Sequence, residues 1–165
     1  MAMDTNSAKL KATKEWAAIQ RHKVKAKTFM RMAHEISSLG TCPRKRVGCI
    51  ITDHRGFILS TGYNGSPART PHCEDADCIL DPHTGQCIRS IHAEMNAIIS
   101  AANQGVSIKD SSAYVTTRPC NRCTVALIQA GVREIYYDEE YTSESNELFE
   151  YFVRESRIRA TKLHV

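Results

Sequence analysis

His92-Ala93-Glu94 and, beyond a predicted helix and strand, Pro119-Cys120-Asn121-Arg122-Cys123 set the tightest limit on how this chain can fold. Each stretch opens a predicted helix, and the side chains can act together only if the two helix starts meet in space. One imidazole and two thiolates make three protein ligands. A tetrahedral zinc ion held by three ligands keeps a fourth position for water, as catalytic sites do. Helix N-termini favour this chemistry, because their unpaired N–H groups and positive dipole end stabilise thiolates. The three-residue step from Cys120 to Cys123 puts both sulfurs on one helical face, and Pro119 suits the helix entry. His-x-Glu alone is a weak signal, and Cys-x-x-Cys at a helix start fits a redox pair or half a zinc ribbon equally well. The order, the proline and the intervening elements together point to a catalytic metal, with Glu94 as the proton carrier beside it. The plainer alternatives are a buried histidine with inert cysteines, and a glutamate that merely complements a helix dipole.

The rest of the chain supplies elements to carry those two helices. Phe29, Met30, Ala33 and Ile36 recur at helical spacing and Gly40 ends that first core helix. Trp16 and Ile19 mark a helical arm before it, after a small, polar and frayed start over residues 1–8. Residues 47–52 and 57–61, separated by Asp53-His54-Arg55-Gly56, read as a hairpin. A helix is predicted over 91–102, a strand over 113–117, a helix over 120–130 stopped at Gly131, and a strand over 133–137. An amphipathic stretch with Leu148, Phe149, Phe152 and Val153 precedes a last strand within 158–165. Helices and strands alternating in this way imply a layered α/β sheet. With 165 residues, 42% of them hydrophobic, the chain can build one core, so the expected organisation is an arm at 1–27 and one domain at 28–165.

Residues 62–90 form a long predicted loop, and a loop of that length in a small domain is functional or is tied down. Of the seven cysteines, Cys120 and Cys123 belong to the motif and Cys49 to a core strand. Cys42, Cys73, Cys78 and Cys87 all stand around the loop, and four thiols make a structural zinc site that would order it. His72 and His83 compete as ligands. No apolar run approaches membrane length and nothing resembles a signal peptide, so a cytoplasmic protein with reduced thiols is expected. The net charge of +4 is modest, and the basic run from Lys9 to Arg31 reads as a solvated helix face that permits an anionic ligand without demanding one.

His-x-Glu followed by Pro-Cys-x-x-Cys is the signature of zinc nucleobase deaminases. Cys42-Pro43-Arg44-Lys45-Arg46-Val47-Gly48, Gly62-Tyr63-Asn64-Gly65-Ser66-Pro67, Ile91-His92-Ala93-Glu94-Met95-Asn96-Ala97-Ile98 and Tyr114-Val115-Thr116-Thr117 narrow the match. Over about residues 28–142 the chain resembles the deoxycytidylate deaminases of phage and bacterial type. That resemblance implies a three-layer α/β/α fold with a central five-stranded mixed sheet. It also implies hydrolysis of dCMP to dUMP and ammonia for thymidylate synthesis, and a homo-oligomer, often a hexamer. His92, Cys120 and Cys123 would hold zinc, while Glu94 would take the proton of the attacking water, deliver it to N3 and then help protonate the departing amine. Tyr141 matches a position where a tyrosine lies against the substrate. Asn64 would bond sugar or base, or else make an Asn-Gly turn. Arg118, Arg69 and Arg44 to Arg46 are candidate partners for the 5′-phosphate.

Some phage-type members carry a second zinc; Cys42 and Cys73 match its ligand positions, whereas Cys78 and Cys87 stand where other members use different ligands. The resemblance further implies activation by dCTP and inhibition by dTTP with Mg2+, at a site including Tyr63, Asn64 and Gly65. Ser100 and Asn103 replace a phenylalanine and an arginine that couple the sites in some regulated members. The competing readings are a deaminase acting on another cytosine or adenine nucleotide, a nucleoside or RNA, and a noncatalytic zinc-stabilised module binding nucleic acid. Glu94 and the modest charge argue against the last.

Overall fold

The computed structural model describes residues 5–141 and 146–165, with side chains described from residue 13 onward. Residues 1–4 of the expected frayed start lie outside the described residues. The first element, α1, runs unbroken over Thr5–Ser37, because no glycine or proline interrupts those 33 residues. The expected arm and the first core helix are therefore one helix, with no break between residues 27 and 28. Trp16, Ile19 and Val24 are exposed, while Ala26, Phe29, Met30 and Ala33 are buried against the sheet.

The predicted hairpin forms as β1 (Gly48–Thr52) and β2 (Ile58–Tyr63), paired antiparallel with Gly48 opposite Tyr63. The long loop carries one short helix, α2 (Cys73–Ala76). It is followed by α3 (Ala93–Asn103), β3 (Ser112–Thr117), α4 (Asn121–Gln129), β4 (Glu134–Glu139), α5 (Asn146–Glu155) and β5 (Arg159–Lys162). The five strands form one mixed sheet in the order β2-β1-β3-β4-β5, with β3, β4 and β5 parallel and β1 antiparallel to both of its neighbours. The expected three-layer α/β/α architecture is what is found.

Period-two alternation sorts side chains to the two faces of the sheet. Ile50, Tyr114 and Tyr136 point to the α1 side, where they meet Phe29, Met30 and Ala33. Cys49, Ile51, Ala113, Val115 and Ile135 point the other way and bury Ala93, Ala97 and Ala101 of α3 and Leu127 of α4. The helices after β2 and β3 both begin at one end of the sheet, the carboxyl end of the parallel strands, where α/β folds place their ligand crevice.

Two glycines let helices approach the sheet closely enough to define that end. A Cβ on Gly48 would stand 2.0 Å from the Ala33 carbonyl oxygen, and one on Gly62 would stand 2.2 Å from that of Ala93 and 2.4 Å from the Ala97 nitrogen. Neither neighbour can yield, because both are helix backbone. Gly62→Ala should push the start of α3 outward, cost about 1–3 kcal/mol and lower the metal content. Thermal melting with metal analysis checks this, and an unchanged melting point would show that α3 is free to move. Among the described residues no helix is long and apolar enough to cross a membrane.

Candidate active site and metal centre

His92 and Cys120 are the N-cap residues of α3 and α4, each in extended backbone with ψ of 153° and 165°. Extended geometry at a cap lets a side chain turn across the helix end, and the two helix ends face each other. Cys120 Sγ and Cys123 Sγ each lie 3.5 Å from His92 Nδ1. Ligand bonds of about 2.3 Å to sulfur and 2.0–2.1 Å to nitrogen at tetrahedral angles require a separation of about 3.5 Å. The three groups therefore already have the spacing that zinc demands, with Nδ1 as the histidine donor. They form a mutual cluster in which both sulfurs are buried.

The electrostatics fit a thiolate site. Donation from the Cys123 thiol, reinforced by His92 and outweighing burial, brings Cys120 down to about 4. Cys123 is pushed up by that same sulfur and by burial. The two sulfurs thus act strongly on one another, in a place that suits a divalent cation. Glu94, in the first turn of α3, is 4% exposed, and burial pushes its carboxyl up to about 7 against the opposing pull of its own backbone N–H and of His92. A carboxyl poised near neutrality can both accept and donate a proton. Cys49 of β1 lies in the same buried region, its thiol raised by burial and by Glu94.

An open cleft of about 240 Å³ leads to this centre, lined by His92, Ala93, Glu94 and Cys120 at its floor. Asn64, Lys45, Arg118 and Tyr141 stand on its walls. Asn64 does not make an Asn-Gly turn: neither Asn64 nor Gly65 has a positive φ. Its amide accepts from the Val47 N–H and donates to the Lys45 carbonyl, both at 2.8 Å, so it holds the 45–47 segment as one wall. Tyr63 is absent from the lining; it is 39% exposed and its carbonyl accepts from Asn96 on α3 at 2.7 Å. Gly65 pairs with Ile91 beside the site. Of the candidate phosphate partners, Arg44, Lys45 and Arg118 border the cleft, Lys45 also pairing with Glu139 at 2.9 Å, whereas Arg46 is drawn off to Glu74 at 2.8 Å and Arg69 does not line it.

A second cluster gathers Cys73, Cys78 and Cys87. Cys73 and Cys87 sulfurs are 3.7 Å apart, close to the edge of about 3.8 Å for two thiolates on one tetrahedral zinc. Burial would raise Cys87, but backbone N–H groups of Ser90 and Arg89 draw it below the usual thiol value. Cys78 is pushed up to about 12 by burial and by the two neighbouring sulfurs. Of the four expected cysteines, Cys73, Cys78 and Cys87 form this group, and Cys42 is not within it. The segment carrying it is tied to the end of β2 instead, through Thr41 N–H to the Asn64 carbonyl at 3.2 Å, and Cys42 borders the cleft. His72 turns to Thr41 Oγ1 at 3.0 Å, and neither it nor His83 joins the cluster.

A sequence model of the cytidine and deoxycytidylate deaminase zinc-binding region matches residues 23–139. The chain belongs to the cytidine and deoxycytidylate deaminase family. It is 43% identical over 126 residues to ComE operon protein 2 of Bacillus subtilis, an alignment covering 74% of this chain and 64% of that relative, less than two thirds of its length. It is 31% identical over 154 residues to the deoxycytidylate deaminase of Enterobacteria phage T2, covering 72% of this chain and 81% of the phage protein. Among solved structures, the dCMP deaminase of cyanophage S-TIM5 in complex with dCMP and dUMP superposes with a TM-score of 0.70 at 27% identity, over 83% of this chain and 95% of the other.

Within this deaminase-family chain, two cleft residues had no signal in the sequence. Gln86, in the cysteine-bearing loop, reaches Tyr141 Oη at 3.5 Å, and Ser90 lines the cleft beside Cys87. Both are placed by the loop's path, which local sequence does not encode.

Proposed function

We propose that this protein hydrolyses dCMP to dUMP and ammonia, the observation that carries the reading being the zinc-spaced His92, Cys120 and Cys123 with buried Glu94 beside them at the floor of a small cleft. When bound, zinc would supply the Lewis acidity that makes water nucleophilic near neutral pH. Glu94 takes one proton of the water attacking C4 and passes it to N3, then takes the remaining proton of the added hydroxyl and gives it to the amine as the C4–N4 bond breaks, so that one carboxyl serves as base and acid in turn. Burial assists, because it holds the carboxyl in a dry place where its proton affinity matches both roles. Tyr141 offers an aromatic wall to the base. Arg44 and Lys45 supply positive charge on the cleft wall for a 5′-phosphate. The cleft volume, near the small end of ligand pockets at about 300 Å³, suits a mononucleotide.

Cys73, Cys78 and Cys87 are proposed to hold a second, structural zinc, supported by their spacing and by the amides that favour a Cys87 thiolate. Cys78→Ser should lower bound zinc from two per chain towards one and drop the melting temperature, with the catalytic ion kept. Metal counts that stay at two would remove Cys78 from the ligand set. Regulation by dCTP and dTTP with Mg2+, in a homo-oligomer such as a hexamer, completes the reading. An effector at Tyr63, Asn64 and Gly65 would act through the Asn64 amide, which holds the cleft wall. The test is ammonia release from dCMP, dCTP and deoxycytidine side by side, with and without effectors. Fast turnover of dCMP alone is the expected result; none from zinc-loaded protein would overturn the substrate.

A further inference from the structure

We propose that Arg118 is a positioning residue that sets Tyr141 against the cleft. This rests on the dCMP reading above. Arg118 lies between the end of β3 and Pro119-Cys120, one residue from the turn that presents a ligand sulfur. A charged side chain there is unexpected, since the residue is only 2% exposed. Its burial is offset by what surrounds it. The guanidinium donates from Nη2 to the Tyr141 carbonyl at 2.8 Å, ion-pairs through Nε with Glu140 Oε2 at 3.3 Å, and lies 5.1 Å over the Phe149 ring of α5. Its own backbone N–H donates to the Glu139 carbonyl at 2.7 Å.

Arg118 thus gathers the three residues that follow or end β4 and anchors them to the turn carrying Cys120. Glu139, Glu140 and Tyr141 have left the regular sheet or are about to, so the pairing of β3 with β4 cannot by itself orient Tyr141. Glu140 is shared with Lys162 of β5 at 2.9 Å, and the hydroxyl of Tyr141 accepts from Gln86 at 3.5 Å. The tyrosine is therefore held at its backbone by Arg118 and at its tip by the cysteine-bearing loop. A planar guanidinium suits the place: Nη2 donates to a carbonyl, Nε is paired with a carboxylate, and the charge lies over an aromatic ring. Lysine can supply one of these at a time.

The experiment compares Arg118→Lys and Arg118→Met with wild type, alone and in a Tyr141→Ala background, reading zinc content, kcat and KM for dCMP. Both single variants should keep the catalytic zinc and raise KM on the order of tenfold, with kcat far less affected. In the Tyr141→Ala background the further rise should vanish, because the two residues act through one contact. Folded, zinc-loaded variants with wild-type KM, or effects that simply multiply with Tyr141→Ala, overturn the proposal. Failure of both variants to fold would mark a purely structural residue and overturn it as well. Amide hydrogen exchange over residues 138–141 is read on the same proteins without substrate. Faster exchange in Arg118→Met is expected and unchanged exchange counts against the role, so an enzyme inactive on dCMP would sink the substrate reading without deciding this one.

Discussion

Glu94→Gln should lower kcat by about 10²- to 10⁴-fold while the protein keeps its fold and its zinc. The two side chains have the same shape, and glutamine can hold the same neighbours, but its amide can neither take a proton from water nor deliver one to N3. Because Glu94 is buried and its carboxyl is raised to about 7, replacing it with a neutral group removes a desolvated acid and should leave the melting temperature unchanged or higher. Steady-state kinetics beside metal analysis of the same sample makes the check. A variant that retains more than a tenth of wild-type turnover with full zinc would mean that another group moves the protons.

Cys123→Ser strikes the metal itself. The sulfur is 2% exposed and 3.5 Å from His92 Nδ1, so its loss leaves His92 and Cys120 as the remaining protein ligands. A serine hydroxyl stays protonated at neutral pH and reaches less far than a thiolate, so zinc affinity should fall by more than about a hundredfold, beyond what loss of an outer partner costs. Activity should vanish with it. Cys49→Ala is the matched control: it is equally buried, sits near Glu94 and belongs to β1 rather than to the ligand set. That variant should keep its zinc. Equal metal loss from both would show that general disruption, and not ligand removal, empties the site.

The candidate site was legible because its information is local. His92 and Cys120 are caps and Cys123 sits in the first turn of a helix, so capping, spacing and dipole arguments apply to each without knowledge of the fold. The sheet was legible for a similar reason: β-branched runs and turn residues mark β1, β2 and β3 one at a time. Strand ends were less so, with β2 and β4 running two residues beyond the expected limits. The neighbouring strand's backbone extends the pairing to Tyr63 and Glu139. Helix α1 differs in the opposite direction. Exposed Trp16 and Ile19 belong to the same helix as the buried Ala26 to Ala33 face, and what distinguishes the halves is only whether the sheet lies beneath.

By itself, then, the sequence marked the order of the main helices and strands, the layered α/β class and His92, Cys120, Cys123 and Glu94 as site candidates, since each rests on residues a few positions apart, while the three-layer form came with the family resemblance. Tertiary structure alone decided that Cys73, Cys78 and Cys87 come together, that Asn64 serves the 45–47 wall, and that Arg118 is buried against Tyr141 and Phe149. These depend on how a loop and two strand ends are laid across one another. Contacts between segments so far apart along the chain are set by the sum of all packing, and no short stretch of sequence carries that sum.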